Sequence, residues 1–387
     1  MTHFHETPEQ QRLRASVAEL AGRYGLEYFV AKAKSGEDTT EVWEEAARAG
    51  FLGVNIPEEY GGGGAGLYEL QIVAEEFAAG GVPLLFLPVS AAMCATFIAR
   101  AGTEEQKKRW LPGFADGSAR MTFGVTDPAG GSNLHRIAAT ARRDGGDWVL
   151  SGRKSLVSAV DLCDAMMVIA RTGDATTGKL RPALFIVDRD TPGLSYEKKP
   201  MVFTAATGQF DVTMDEVRLP ASALVGGEDG SALRALFAGA LNPERITFAA
   251  WSAGLGRYAV DLAVRHARER RVWNTTIGAH QGLSHPLAMA KINLELARTF
   301  VQKAAWLYDN GQDISGEVAN MAKYAAGEAA IKAVDQAVQI HGGYGLDEEH
   351  LVGFLYPMVR VAHLAPVSRE MLLNFVAEHT LGLEKSY

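Results

Sequence analysis

The chain has 387 residues, of which 47% are hydrophobic and 22% charged, a globular composition with enough length for two or three domains. A formal net charge of −8 leaves no dominant basic surface and argues against nucleic acid as the main partner. The two cysteines, Cys94 and Cys163, make neither a metal-ligand spacing nor a disulfide framework, and read as buried apolar residues of a reducing compartment.

The first third is helical in pattern. Met1 to Gln10 is polar and acidic and lacks the apolar stretch of a secretory leader, which points to a cytoplasmic protein. Thr7-Pro8-Glu9-Gln10 combines an N-cap, a proline at N1 and a capping-box glutamine, and Leu13, Val17 and Leu20 follow at helical spacing. Thr40 can cap a second helix through Trp43 and Ala47. Gly61 to Gly66 satisfies G-x-G-x-x-G, but it follows Pro57-Glu58-Glu59-Tyr60 and no strand, so it reads as a loop and not a phosphate cradle. Leu67 to Ala79 and Thr103 to Phe114 are further helices. Phe77 to Ala99 is uncharged and long enough to cross a bilayer, yet Gly80-Gly81, Pro83 and Pro88 split it into two buried pieces with a turn between them.

The period changes in the middle third. Met121 to Thr126, Ile137 to Arg143, Trp148 to Ser151, Met166 to Arg171, Pro182 to Val187 and Phe210 to Val217 are short β-rich runs punctuated by Gly, Asp and Pro. No helical segment alternates with them, which favours a small antiparallel barrel or sandwich over a doubly wound sheet. Inside this region Phe123 to Ser132 runs from a strand into a Pro/Gly turn that exposes backbone amides and hydroxyls.

From Ser231 the helical period returns. Ile246, Ala249, Ala253, Gly256, Val260, Ala263 and Ala267 form a small-residue stripe suited to close helix packing. Leu287, Leu294, Val301, Ala304 and Tyr308 mark another helix, Val318 to Ile340 a third that ends at Gly342-Gly343, and Met371 to Ala377 a short last one. At the head of the stripe stand Asn242-Pro243-Glu244-Arg245. Asn242 suits an N-cap and Pro243 suits N1. Glu244 then has two readings: a first-turn acid that complements the helix dipole, or a general base whose pKa is raised by burial. Arg268 to Trp273 with His280-Gln281 can be a solvated basic end or a pyrophosphate grip.

Taken in order, these segments resemble the acyl-CoA dehydrogenase family over nearly the whole chain. Pro57 to Gly62 resembles its early loop, and Val125-Thr126-Asp127-Pro128 through Ser132 its V-T-E-P-G-A-G-S flavin loop. His266 to Gln281 resembles Y-A-x-E-R-x-x-F…Q, and Gln339 to Gly343 matches Q-x-x-G-G. The resemblance implies an α+β multidomain fold: an N-terminal α-helical domain (1–119), a middle antiparallel β-barrel or sandwich domain (120–229) and a C-terminal four-helix bundle (230–387). It also implies FAD between the last two, an acyl-CoA substrate, an electron-transferring flavoprotein as acceptor, and a homotetramer built as a dimer of dimers.

By the same resemblance Phe123, Val125 and Thr126 touch the flavin, and Ser132 sits near its phosphates or the pantetheine arm of the substrate. Leu156-Val157-Ser158 occupies the place of W-I-T or W-I-S, with Leu156 removing an aromatic wall. Arg270, Trp273, His280 and Gln281 reach the ADP part of FAD across a dimer, Gln339, Gly342 and Gly343 complete that site, and Ser368 and Glu370 border the cofactor. Pro366 falls where many members carry the base. A minority carry it before an arginine at the head of a bundle helix, as Glu244-Arg245 stands here, so Glu244 is the implied base and Arg245 its substrate-side neighbour. Pro366 also lacks the N–H that usually holds the thioester carbonyl, which passes that task to a neighbour such as Val367. Two other readings stay open: a same-fold flavoprotein using oxygen or another acceptor, and a non-catalytic subunit of a hetero-oligomer.

Overall fold

The computed structural model describes residues 6–173, 180–202, 206–226, 241–312 and 316–385. The chain opens with α1 (Pro8–Ser35), α2 (Thr40–Arg48) and α3 (Leu67–Ala79). The cap of α1 is as the sequence indicates: Thr7 Oγ1 accepts from Gln10 N, and Gln10 Oε1 accepts from Thr7 N. The start of α2 is offset by one residue. Thr39 holds the cap position and Thr40 is the first helical residue, because Asp38 Oδ1 accepts from Thr39 N at 2.7 Å and draws the turn back. After α3 the chain turns at Gly80-Gly81 and enters a π-helical segment, Leu87–Ala95, that runs into α4 (Thr96–Ala101) and α5 (Glu104–Ala115). Both pieces of the uncharged stretch are buried, and among the described residues no helix is long and apolar enough to cross a membrane.

The middle region is a seven-stranded sheet: β1 (Met121–Gly124), β2 (Thr140–Asp144), β3 (Asp147–Ser158), β4 (Ala165–Gly173), β5 (Leu180–Asp188), β6 (Leu194–Lys199) and β7 (Gln209–Leu219). Pairing is antiparallel at β2–β3, β3–β7, β4–β5 and β6–β7, and parallel where β4 meets β1 and β2. β6 carries no β-rich run. Its Ser-Tyr-Glu-Lys centre is exposed, and it is ordered as an edge by hydrogen bonds to β7, where charged side chains discourage further pairing.

Among the described residues the last region has three long helices, α6 (Leu241–Glu269), α7 (Gln281–Asp309) and α8 (Glu317–His341), closed by the short α9 (Leu355–Arg360) and α10 (Arg369–Phe375). A two-residue hairpin, β8 (Arg271–Val272) with β9 (Thr275–Thr276), joins α6 to α7. Ser231, where the helical period returns in sequence, lies outside the described residues. α6 already includes Leu241 and Asn242, so Asn242 is not its cap; its Oδ1 accepts from Arg245 Nη1 at 2.9 Å instead of from a backbone amide.

Alanine and glycine on α6 let α7 and α8 approach closely: a Cβ on Gly256 would come within 2.6 Å of Leu294 and 3.1 Å of the Ala330 backbone. Two buried acids on α3, Glu75 and Glu76, tie the helical regions together. Arg14 of α1 and Arg257 of α6 contact both, and Arg298 of α7 contacts Glu75. Burial alone would raise the Glu75 carboxyl, but the guanidinium charges overcome it and hold it below the usual carboxylate range.

The glycine-rich run ends in a second tie. Asp309, at the end of α7, accepts from Leu67 N and Tyr68 N, both at 2.8 Å, and so caps α3 from another region of the chain. Gly66 is glycine for this reason, since a Cβ there would stand 2.3 Å from Asp309 Oδ2. Asp309→Ala is expected to lower unfolding stability by about 1 kcal/mol, the usual cost of a lost cap. Gly66→Ala is expected to destabilise too, and the two losses should not add in the double variant, because the clash disappears with the carboxylate. Urea unfolding of the three variants checks this.

Candidate active site

Glu244 lies in the first turn of α6 and is 8% exposed. A helix N-terminus favours the carboxylate, but here the loss of water is the larger effect. Burial pushes the carboxyl up to about 7, against the opposing charges of Arg245 and Lys323. Among the described residues no hydrogen bond or ion pair engages it. Thr247 Oγ1 and Trp251 Nε1, three and seven residues further along α6 and so on the same face, are also buried without partners among the described residues, as is Arg245 Nε. A row of unsatisfied polar atoms beside a protonatable carboxyl is the environment of a site built to receive a ligand.

The fold brings this head of α6 to the end of β1. The Leu87–Ala95 segment packs on both. Within it, Cys94 Sγ lies 3.8 Å from the Thr122 carbonyl oxygen, and burial, Cys163 and the charge of Glu244 raise its thiol well above the usual value. Phe123, Val125 and Thr126 follow, all half-buried. Their loop is clamped to β3. Lys154 Nζ donates to Val125 O at 3.1 Å and Asp127 Oδ1 at 2.5 Å, and Ser155 N donates to Thr126 O at 2.8 Å. Asp127 Oδ2 also accepts from Ala138 N and Ala139 N.

On β3, Val157 is buried, and Ser158 Oγ accepts from Gln209 Nε2 at 2.9 Å while its carbonyl accepts from Thr122 Oγ1 at 2.6 Å. Leu156 is 52% exposed with φ +56°, at a bulge where the register of β3 on β7 shifts. Ser132 is exposed in the turn.

A second part of the site sits at the far end of α8. Arg270, Gln339, Gly342 and Gly343 converge on a cavity of about 630 Å³, with His266, His341 and Tyr344. His266 stacks on His341 at 4.3 Å between ring centroids, and Arg270 lies over Tyr344. A Cβ on Gly342 or Gly343 would meet nothing within 4 Å, so the backbone there is open to a ligand. Trp273, His280 and Gln281 do not line this cavity: Trp273 is 87% exposed at the hairpin tip with φ +57°, His280 precedes α7 and Gln281 begins it. Ser368 caps α10 by accepting from Met371 N, and the Glu370 side chain is exposed.

Two features escape a reading by motif. The Lys154–Asp127 pair, 0% and 1% exposed, sits inside segments read only for their flavin contacts. Lys323 is 1% exposed, a lone charge among Ala319, Ala322 and Ala326 on α8, and that interruption of an alanine stripe is the signal that could have found it.

Residues 7–118, 122–217 and 234–381 match the N-terminal, middle and C-terminal domain families of acyl-CoA dehydrogenases. The chain is 55% identical to acyl-CoA dehydrogenase FadE12 of Mycobacterium tuberculosis, over 100% of this chain and 99% of that one. It is 32% identical to subunit CarC of the caffeyl-CoA reductase-Etf complex of Acetobacterium woodii, over 85% and 86%. Its backbone superposes on a glutaryl-coenzyme A dehydrogenase in complex with glutaryl-CoA with a TM-score of 0.93, at 29% identity, covering 100% and 98% of the two chains.

Lys154→Met leaves the Asp127 carboxylate buried beside no cation and is expected to cost about 3–5 kcal/mol in urea unfolding. Adding Asp127→Asn should restore most of it, since the amide oxygen can still accept from Ala138 N or Ala139 N. A loss below about 1 kcal/mol in the single variant would show that the clamp does not support the fold.

Proposed function

The chain belongs to the acyl-CoA dehydrogenase family, an oxidoreductase family acting on acyl-CoA, and from that premise we propose that it forms the trans-2-enoyl-CoA with FAD as cofactor and Glu244 as the base. The observation that carries this reading is the buried, unpaired Glu244 carboxyl, raised to about 7 at the head of α6. A base for a weak carbon acid needs such a shift, because a carboxylate of ordinary pKa takes the proton too reluctantly.

The residues fit the cofactor in two places. Phe123, Val125, Thr126, Val157 and Ser158 offer a clamped rim of backbone and hydroxyl groups for the flavin ring. Arg270, Gln339, Gly342 and Gly343 offer a cationic, open-backed cavity for the ADP end, with Trp273, His280 and Gln281 reaching a paired subunit's cofactor. Ser368 and Glu370 would border the cofactor from the α10 side, away from that cavity. When bound, FAD supplies the acceptor for the β-hydride. Glu244 takes the α-proton, and Ser132 and Arg245 stand on the substrate side. The thioester oxygen, where enolate charge develops, needs a donor. Pro366 has none, and the Val367 N–H makes no hydrogen bond among the described residues, so it is free for that task. The buried surroundings of Glu244 keep water from the reacting bond.

We further propose a cytoplasmic homotetramer that passes electrons to an electron-transferring flavoprotein, a partner named for the CarC complex. Oxidation of a panel of acyl-CoAs, followed by flavin bleaching and by dye reduction against oxygen uptake, tests substrate and acceptor together. Glu244→Gln is expected to keep the flavin and lose at least about a hundredfold in turnover; full turnover would remove Glu244 as base. In wild type the base form grows as pH rises through about 7, so kcat/KM should climb over that range and fall below it. A profile flat from pH 5 to 9 would contradict the assignment.

A further inference from the structure

Lys323 has no part in the chemistry above, yet it is 1% exposed in the second turn of α8. Its Nζ donates to Ala362 O at 2.5 Å and to Val367 O at 2.7 Å. These two carbonyls bracket Ala362 to Val367, the segment that contains Pro366 and ends on the amide offered to the thioester. One ammonium therefore pins both ends of the donor segment, and the same ammonium lies within electrostatic reach of Glu244. Burying a lysine among alanines is costly, and no carboxylate contacts its nitrogen closely enough to form an ion pair among the described residues. A solely structural brace could be a neutral donor.

We infer that Lys323 is a positioning residue that couples the two halves of the reaction site, fixing the Val367 amide through the Ala362 and Val367 carbonyls while its ammonium, with Arg245, favours the charged form of the Glu244 carboxyl. The inference rests on Glu244 being the base. The groups facing the Glu244 carboxyl are Arg245 on its own helix, Lys323 from α8 and Cys94 from the Leu87–Ala95 segment. Those facing Lys323 are Arg245 and Glu244 from α6, Glu370 from α10 and His363 from the pinned segment. Of the two cations beside Glu244, Lys323 alone loses its charge in an accessible range, because burial brings its ammonium down to about 8. An opposite charge favours the carboxylate, so removing Lys323 should raise the pH at which Glu244 becomes a base.

The test compares wild-type holoenzyme with Lys323→Gln, which keeps a donor without the charge, and Lys323→Arg, which keeps the charge. In the Gln variant the acid limb of kcat/KM should move to higher pH by about half a unit or more, and kcat should fall about tenfold or more with KM little changed. The Arg variant should keep the wild-type limb. Flavin content should be equal in all three. A Gln variant with the limb in place, or an Arg variant shifted like Gln, overturns the inference. Should either variant fail to fold, the coupling is read from the other side by nitrogen NMR of the lysine ammonium. Lys323 should titrate at lower pH in Glu244→Gln than in wild type, and identical titrations overturn the inference. Wild-type enzyme that does not bleach with any acyl-CoA would instead fail the proposed reaction, and the NMR comparison would still decide the coupling.

Discussion

Removing one carboxyl from water organises the reaction end of this molecule. At the first turn of α6 the helix amides and two cations all favour a charged Glu244, and burial still prevails. The burial has identifiable sources. The apolar Leu87–Ala95 segment lies across the head of α6, and α8 brings an alanine-rich face into which Lys323 puts a charge. Each element that dries the site also delivers something to it: the segment leads to β1 and its loop, and α8 leads to the pinned Ala362–Val367 stretch and, at its far end, to the open Gly342-Gly343 backbone.

Such a site needs rigid support, since a misplacement of an ångström would separate base, donor and cofactor rim. The support is made of buried charge. Glu75 and Glu76 join α1, α3, α6 and α7 through three arginines, Asp309 caps α3 from the end of α7, and Asp127 with Lys154 fastens the β1 loop to β3. Buried pairs of this kind add little net stability over apolar packing, but each is costly to break, so they hold one arrangement against its neighbours.

Much of this was legible in the chain. A helix with a strong cap, such as α1, could be placed from Thr7-Gln10 because its boundary chemistry is local. Glu244 could be singled out from its place before Arg245, and the structure puts it in a buried setting. Local patterns fail where the cause is distant. β6 has no apolar alternation because it is stabilised by its neighbour, and the cap of α3 comes from a residue more than two hundred positions away. Asn242 has ideal cap chemistry, but Arg245 claims its side chain. Lys154 gives no such signal, because a lysine in sequence ordinarily means surface and only packing reveals that its nitrogen is enclosed, whereas Lys323 betrays itself by interrupting an alanine stripe.

The two cysteines acquire a meaning from their surroundings. Cys94 is 0% and Cys163 1% exposed, and burial is the first cause of the raised pKa at each thiol. Protonated and shielded, neither can attack an alkylating reagent until its surroundings open. Cys94 sits at the junction of base and β1, and Cys163 follows the turn after β3. The chain thus carries two built-in probes of local opening, one at the seam of its regions and one in the β-sheet region, whose labelling rates with a thiol reagent would report breathing of each without any engineered tag.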